Sequence, residues 1–416
     1  MTRVFFAKSD DRFSRNAKLY LFALAFYSIT CGAFGMLQGI YIKELKLGED
    51  FLGFLMGSKT IAVAAAAFPC ALIVNRLGKR KALFISMLLV PFTILFQGFF
   101  KNMWAIYFFG IVQGVFEALF GVTGSPFLMD NSHGEQRIKL FSYAFAANTF
   151  SMMIGYYLSG HIVQALRGSF DVVSAYRYTI IISGVLGLIA VTFIMFMNKN
   201  SKTESRSDSV SLKQAVAVFK ERGVYQFIIY NTLIGFGAGL VVPYFNVYLK
   251  YKINITDVQL GTIMSISQVA TGMGGLMTPI LARRFGKVKT IIMCQIASIP
   301  FLLLIATPPS ILIVSVAFFM RSALMNMTGP VINNISMELV DSSRRSVLSS
   351  IFNLSSNLSR ALSIMVAGFI MKNFTRGYEI PYYITTLLYI IGTIYFYKTF
   401  KNYDSKKVER NKGCTV

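Results

Sequence analysis

Four ionisable side chains lie inside long apolar stretches of this sequence, namely Lys59, Glu117, Arg321 and Arg360. An ionisable group within a membrane-spanning helix costs about 2.5–3.5 kcal/mol on insertion scales, so each of the four is a candidate functional residue. Three cations against one carboxylate favour binding of an anionic organic solute. A carboxylate that releases a basic partner when it is protonated could also couple proton movement to solute binding, which makes Glu117 the candidate coupling residue.

Polar residues accompany these charges at helical spacing. Gln113 and Glu117 stand at i and i+4, so they share one face of a helix. Asn353, Asn357 and Arg360 form a second stripe at i, i+4 and i+7. These stripes are typical of a solute-binding wall. They are equally typical of a structural role, in which Glu117 pairs with a lysine or arginine and the polar stripe fixes helix packing.

Two further candidates have a structural alternative of the same kind. Lys59 lies about eight residues into its apolar stretch, so its long side chain could instead extend to the membrane surface. Tyr244 follows Pro243, and a proline inside a helix frees a backbone carbonyl and permits a bend. That bend could be a gating hinge or a simple packing kink.

The composition indicates the kind of body that must hold these residues. The chain has 416 residues, of which 55% are hydrophobic and only 14% are charged, yet its formal net charge is +23. Soluble domains average about 25% charged residues. A nucleic-acid-binding protein would need this basic charge on a soluble body, so we expect an integral membrane protein in the lipid bilayer, with its charge in loops and no nucleic-acid partner.

Membrane-spanning helices of about 20 apolar residues fit the sequence twelve times. The predicted spans are 17–42, 51–74, 82–100, 103–129, 140–163, 177–197, 224–249, 258–282, 290–307, 310–337, 347–371 and 380–397. With the N-terminus inside, the cytoplasmic segments hold 29 of the 41 Lys and Arg residues and the outer loops hold nine. Because basic residues accumulate on the cytoplasmic side, both termini are predicted to be cytoplasmic.

The second half of the chain repeats features of the first at an offset of 208 residues. Gly78 and Gly286 are each the centre of a basic loop, after spans 2 and 8. Three further pairs share the offset: Gly53 with Gly261, Asp130 with Glu338, and Arg137 with Arg345. Six spans per half give both halves the same topology. We therefore predict two pseudo-symmetric six-helix bundles, 1–198 and 223–416, joined by a cytoplasmic linker, 199–222, that contains a short amphipathic helix.

Two such halves with a glycine-centred basic loop after spans 2 and 8 resemble the major facilitator superfamily (MFS) of secondary transporters. Arg76, Gly78, Lys79 and Arg80 match the family's loop pattern, whereas Asn75 stands where the family has an aspartate. The resemblance implies an all-α, twelve-helix MFS fold and transport by alternating access. It also implies a conformational gating role for loop residues in both halves: Asn75, Arg76, Gly78, Lys79, Arg80, Asp130, Arg137, Gly286, Glu338 and Arg345.

In that fold, spans 1, 4, 7 and 10 line a central cavity, which would place Gln113, Glu117 and Arg321 at related depths. Many proton-coupled members carry an arginine before the Gln-Gly pair of span 4, and it is missing before Gln113-Gly114. Drug antiporters carry a Gly-Pro-rich stretch in span 5, and the corresponding stretch here, 154–160, has no proline. The candidate substrate-binding and coupling residues are Lys59, Gln113, Glu117, Asn148, Tyr244, Arg321, Asn353, Asn357 and Arg360.

The expected function is secondary active transport of a small organic solute, coupled to protons and leaning to an anionic substrate. The alternative is efflux of drugs or lipid-like compounds, and a non-transporting membrane receptor is the least favoured function. No ATP-binding, redox or hydrolase motif occurs, so the sequence predicts no enzyme, no cofactor and no metal site. We expect a monomer in a bacterial plasma membrane.

Overall fold

The computed structural model describes residues 13–198, 221–307, 310–341 and 344–403. Within these ranges the chain forms twelve helices and no strand, so the all-α prediction is confirmed. In chain order they are α1 (Arg15–Glu44), α2 (Gly48–Leu77), α3 (Lys79–Phe99), α4 (Met103–Asp130), α5 (Gly134–Leu166), α6 (Val172–Met195), α7 (Arg222–Val241, continued by the short turns Val242–Tyr244, Phe245–Val247 and Tyr248–Lys252), α8 (Asp257–Phe285), α9 (Lys287–Ala306), α10 (Ile311–Glu338), α11 (Arg345–Asn373) and α12 (Ile380–Phe400). The predicted linker helix falls largely in 199–220, outside the described residues.

Ten of these helices are long and apolar enough to cross a membrane, and α5 and α8 are the two described helices outside that set. These two helices pack against each other between the halves of the molecule. Their shared face carries small and polar residues such as Gly160, Gly261 and Ser265. A helix that faces another helix across such a surface needs fewer large apolar side chains than one that faces lipid.

Helices α1–α6 pack with one another, as do α7–α12, and the two groups meet along α2–α11 and α5–α8. Both meeting lines depend on glycine. A Cβ added at Gly53 would lie 2.9 Å from the carbonyl oxygen of Ile364, and one added at Gly261 would lie 2.7 Å from that of Tyr156. Both members of each contact are 208 residues from their counterparts. The sequence repeat therefore reappears in space as two equivalent close helix contacts.

The two halves are in close contact at one end of the bundle and diverge at the other. A Cβ added along the α5–α8 contact would lie 2.4 Å from the nearest atom at Gly160, 3.4 Å at Gly272 and 3.8 Å at Gly275. We call the end near Gly160, where α1 ends and α2 begins, the closed end. The end where α2 and α8 finish is the open end.

Helix α7 loses its regular α-helical hydrogen bonding at Val242, one residue before Pro243. A short 3₁₀ turn, Val242–Tyr244, and a π turn, Tyr248–Lys252, follow. Proline has no N–H to donate and its ring clashes with the preceding turn, which accounts for the interruption. The equivalent region of the first half, within α1, is continuous helix.

Candidate functional site

A cavity of about 530 Å³, the main cavity, lies between the halves, and the second half forms most of its wall. The first half contributes only Gly35, Met56 and Tyr156. The volume is within the roughly 300–1,000 Å³ range of small-molecule sites. Several polar side chains of α7, α8, α10 and α12 line it, so the cavity suits a polar solute.

Arg321, on α10, is the most deeply buried charge on the wall of the main cavity, with 4% of its surface exposed. Its side chain makes no hydrogen bond or ion pair with any residue that the structure describes. The guanidinium lies 4.9 Å from the ring centroid of Phe245, which packs edge-on against Phe318. An aromatic face stabilises a cation without neutralising it, so the charge of Arg321 remains available to a ligand.

A second cavity of about 340 Å³, the side cavity, adjoins the main cavity, and both halves line it. Lys59 and Glu117 face it and form an ion pair of 2.8 Å. Lys59 therefore points to Glu117 rather than extending to the membrane surface. Close packing of α2 on α4 brings the pair together, since a Cβ added at Gly114 would lie 2.7 Å from the carbonyl oxygen of Lys59.

Arg360, on α11, lines both cavities and so connects them. Its side chain is exposed and makes no ion pair with any described residue. The side cavity therefore contains one neutralised pair, Lys59 and Glu117, and one unpaired cation. Arg321 and Glu117 line different cavities. The family resemblance had implied that they lie at related depths across one central cavity.

Glu117 also ends a chain of buried amides. Gln38 donates to Gln97 at 3.1 Å, Gln97 to Gln113 at 2.7 Å, and Gln113 to Glu117 at 2.8 Å. An ionised carboxylate can only accept, so Gln113 must present its NH₂ group to Glu117, and its carbonyl oxygen must accept from Gln97. The carboxylate thus fixes the orientation of three side chains from α1, α3 and α4.

The remaining substrate-site candidates are dispersed. Asn357 lines the side cavity, whereas Asn353 is exposed and lies outside both cavity walls. Asn148 accepts a hydrogen bond of 2.8 Å from Ser28 inside the first half. Tyr244 is fully buried outside both cavities and donates to the carbonyl oxygen of Ile364 at 2.8 Å. Tyr244 belongs to the contact between the halves rather than to a cavity wall.

The model of the Major Facilitator Superfamily matches residues 19–233 and 227–413. The chain belongs to the major facilitator superfamily. As a facilitator it is a transporter embedded in the membrane, and the predicted family and fold are confirmed.

The proteins that this facilitator resembles are named for different transported compounds. It is 23% identical to the multidrug resistance protein MdtG of Proteus mirabilis (strain HI4320) over 256 residues, which are 60% of each protein. Its fold matches a mutant of the nucleoside transporter NupG at a TM-score of 0.80, with 15% identity over 93% of this chain and all of that one. It also matches a bacterial homolog of the human lysosomal transporter Spinster in an inward-facing, occupied conformation, at a TM-score of 0.76 and 11% identity over 92% and 96% of the two chains. At such identities the structural matches show the fold alone.

The loop residues assigned to gating lie at the open end of the facilitator. Gly78 and Gly286 have φ of +84° and +85°, a backbone conformation that favours glycine. Lys79 pairs with Asp130 at 2.5 Å, and Lys287 pairs with Glu338 at 2.8 Å. Each pair connects two helices of the same half, so these contacts leave the halves free to separate at this end.

The other predicted gating residues make local contacts at the same end. Arg80 donates to the carbonyl oxygen of Met195, where α6 ends, and Arg137 donates to that of Ser132. Arg345 donates to the carbonyl oxygen of Met337. Arg76 and Asn75 are exposed beside the turn.

Charged residues that sequence reasoning had not singled out connect the halves at the closed end of the facilitator. Asp257, at the start of α8, is fully buried. It accepts from Tyr176 at 2.5 Å and pairs with Arg167 at 3.2 Å, both in the first half, and with Lys250 at 2.9 Å in its own half. The hydrogen bond from Tyr176 and the ion pair with Arg167 make this carboxylate a crosslink between the halves.

The position equivalent to Asp257 holds Glu49, which makes a second crosslink. Glu49 pairs with Lys43 at 2.5 Å and accepts from Tyr378 of the second half. Burial, and then the bond to Glu49, raises the pKa of Tyr378, so its hydroxyl stays a donor. Lys372 pairs with Asp50 beside it at 2.6 Å. Together these contacts hold the closed end shut.

Proposed function

We propose that this facilitator is a secondary active transporter of a small organic anion, coupled to protons through Glu117. Arg321 carries the proposal. It is buried on the wall of a cavity of ligand size, it has no acidic partner among the described residues, and an aromatic ring supports it. A buried, unpaired cation is costly in the absence of a ligand, and an anionic solute would relieve that cost.

The contacts at the two ends of the molecule support transport by alternating access. The contacts of Asp257 and Glu49 join the halves at the closed end, while the ion pairs of Lys79 and Lys287 stay within each half at the open end. Rocking of one half against the other about the cavities would break the first set and bring the open-end loops together. The Lys and Arg bias favours a cytoplasmic position for the open end and both termini. Similarity to a bacterial protein favours a bacterial plasma membrane, and the protein is proposed to act as a monomer.

The charges of the side cavity suggest how protons are coupled. With Glu117 ionised, Lys59, Glu117 and Arg360 sum to one positive charge. Protonation of Glu117 raises this sum to two, and binding of a monovalent anion returns it to one. Proton and anion therefore favour each other's binding, which is the thermodynamic linkage required for their co-transport.

Efflux of amphipathic drugs is the other candidate, and the similarity to a multidrug resistance protein favours it. A drug cavity of that type would be largely apolar, with its arginines neutralised by acidic partners. Neither Arg321 nor Arg360 has such a partner among the described residues. The organic anion is therefore the better supported substrate class.

A thermal-shift screen of the purified protein tests the substrate class. Organic anions are expected to raise the melting temperature, and Arg321→Ala and Arg360→Ala should each reduce the shift. Arg283→Ala, at an exposed position at the open end, is the matched control and should leave it unchanged. Stabilisation by amphipathic cations alone would overturn the anionic assignment.

Reconstitution into proteoliposomes tests the coupling. Glu117→Gln is expected to abolish accumulation driven by an imposed pH gradient while keeping exchange of solute across the membrane. The reason is that a permanently neutral group can still bind cargo but cannot carry a proton. Unchanged gradient-driven accumulation in Glu117→Gln would show that another residue carries the proton.

A further inference from the structure

Four residues that line the main cavity, each on a different helix of the second half, have a buried polar atom without a hydrogen-bond partner in the described part of the chain. These atoms are Asn231 Nδ2 on α7, Ser267 Oγ on α8, Arg321 Nε on α10 and Tyr389 OH on α12. Tyr389 is 1% exposed and Ser267 is 9% exposed. Buried polar groups are nearly always hydrogen-bonded in folded proteins, so four unsatisfied atoms around one cavity point to a ligand that supplies the missing partners.

Each atom restricts the chemistry of that ligand. The amide nitrogen of Asn231 and the guanidinium of Arg321 only donate, so they require acceptor oxygens. The hydroxyls of Ser267 and Tyr389 donate or accept, as a hydroxyl group of a ligand also does. Gln268, beside Ser267, also lines the main cavity. Among the described residues, its NH₂ group donates only to the sulfur of Met152, at 3.7 Å, and a thioether sulfur is a weak acceptor.

We infer that the main cavity binds a polyhydroxylated organic anion. The anionic group of this solute would bind Arg321, and the hydroxyl oxygens of the solute would bind Asn231, Ser267 and Tyr389. This inference rests on the proposed function for the anionic part, while the hydroxyl-binding part stands on the three uncharged residues. None of these three was marked by charge or motif in the sequence.

Three six-carbon compounds separate the two parts. Gluconate carries both the carboxylate and hydroxyl groups, hexanoate carries the carboxylate alone, and sorbitol carries hydroxyl groups alone. Isothermal titration of the purified full-length protein is expected to show gluconate binding at least about tenfold more tightly than hexanoate, because several hydrogen bonds of about 1 kcal/mol each separate them.

The outcomes distinguish this inference from the proposed function. Equal affinity for gluconate and hexanoate would overturn the hydroxyl-binding site and leave the anion proposal standing. Equal affinity for gluconate and sorbitol would keep the hydroxyl-binding site and overturn the anionic part. Absence of gluconate binding would overturn the inference.

Two tyrosines on α12 provide a matched pair of variants. Tyr389 and Tyr382 are both buried, and neither hydroxyl has a hydrogen-bond partner among the described residues, but only Tyr389 lines the main cavity. Tyr389→Phe is expected to reduce the preference for gluconate over hexanoate about fivefold, the value of one hydrogen bond. Tyr382→Phe should leave the preference unchanged. The same loss in both variants would contradict direct binding by Tyr389.

Discussion

In the first half of the molecule, Lys59 and Glu117 form an ion pair; 208 residues later, the same positions hold Ser267 and Met325. Between them, Gln113 of the first half is replaced by Arg321. The first half therefore has a carboxylate and a partner for it, and the second half has a cation without one. Under the proposed function, a symmetric scaffold places the proton-binding group on one side of the cavities and the solute-binding group on the other.

Where the halves contact each other, equivalent positions make equivalent contacts, in contrast to the cavities. Gly160 and Gly368 are 208 residues apart, and a Cβ added at either would lie 2.4 Å from a backbone carbonyl oxygen of the other half. The open-end pairs Lys79–Asp130 and Lys287–Glu338 are likewise equivalent. The repeat is retained where the halves contact each other, as the proposed rocking motion requires, and it is lost at the cavities, where the proposed function gives the two halves different roles.

The largest effect is expected when a carboxylate is placed in the second half at the position equivalent to Glu117. Met325 lines the main cavity one helical turn from Arg321, so Met325→Glu is expected to neutralise the arginine and repel an anionic solute. Anion affinity, measured by isothermal titration, should fall about 100-fold or more, since charge repulsion in a binding site costs several kcal/mol.

Met325→Gln has nearly the same shape without the charge and is the control for this change. It should reduce anion affinity much less than Met325→Glu does. Equal losses in the two variants would mean that the side-chain volume at this position, rather than the free charge of Arg321, determines binding.

Equal consequences are expected where the halves are alike. Gly160→Ala and Gly368→Ala each force a methyl group against a backbone carbonyl, and such overpacking costs about 1–3 kcal/mol. Both should lower the melting temperature to a similar extent and increase hydrogen exchange at the closed end.

Gly121→Ala and Gly329→Ala form the matched control pair. They are also 208 residues apart, and a Cβ added at either would meet no atom within 4 Å. Neither should open the closed end. A large effect in only one of the two interface variants would argue against equivalent roles for the two helix contacts.

Much of this architecture could be predicted from the sequence because it depends on local or repeated patterns. Apolar runs gave the helices, and the offset between Gly78 and Gly286 gave two loops whose backbone angles prove nearly identical. Side-chain partners depend on how each helix is rotated, which hydropathy does not report. For this reason the sequence leaves Lys59 either as a site residue or as a side chain that extends to the membrane surface. The close contact of α2 with α4 at Gly114 places it beside Glu117.

Residues next to polar segments were the hardest to predict. Asp257 follows Thr256 and precedes the polar Gln259, so it has the sequence pattern of an exposed helix start, and Thr256 does cap α8. Its complete burial arises from α5 and α6, more than 80 residues earlier in the chain. Ser267 did carry a usable signal, since it occupies the repeat position of Lys59.

The ion pair of the first half gives a smaller effect. Lys59→Met leaves Glu117 without its basic partner and is expected to reduce stability by about 1–3 kcal/mol, as for other charged groups left unpaired. The double variant Lys59→Met/Glu117→Gln should recover part of this loss, because it removes the unpaired charge. Both are measured by thermal unfolding in detergent.

Ser267→Ala, at the equivalent position of the second half, should leave stability nearly unchanged because Ser267 Oγ makes no hydrogen bond with any described residue. If the double variant were no more stable than Lys59→Met, the ion pair would contribute nothing beyond the packing of its two side chains.

The smallest expected effect concerns the amide chain behind Glu117. Gln97→Leu removes the donor that holds the carbonyl oxygen of Gln113 away from Glu117. The buried Gln113 side chain then loses this hydrogen bond, and the free energy of unfolding should fall by about 1 kcal/mol. Thermal unfolding in detergent measures the loss. Ile305 occupies the equivalent position in the second half, so Ile305→Leu, which keeps an apolar side chain of the same volume, is the control and should lower stability less. An equal loss in the two variants would mean that packing at this position, rather than the hydrogen bond from Gln97 to Gln113, accounts for the effect.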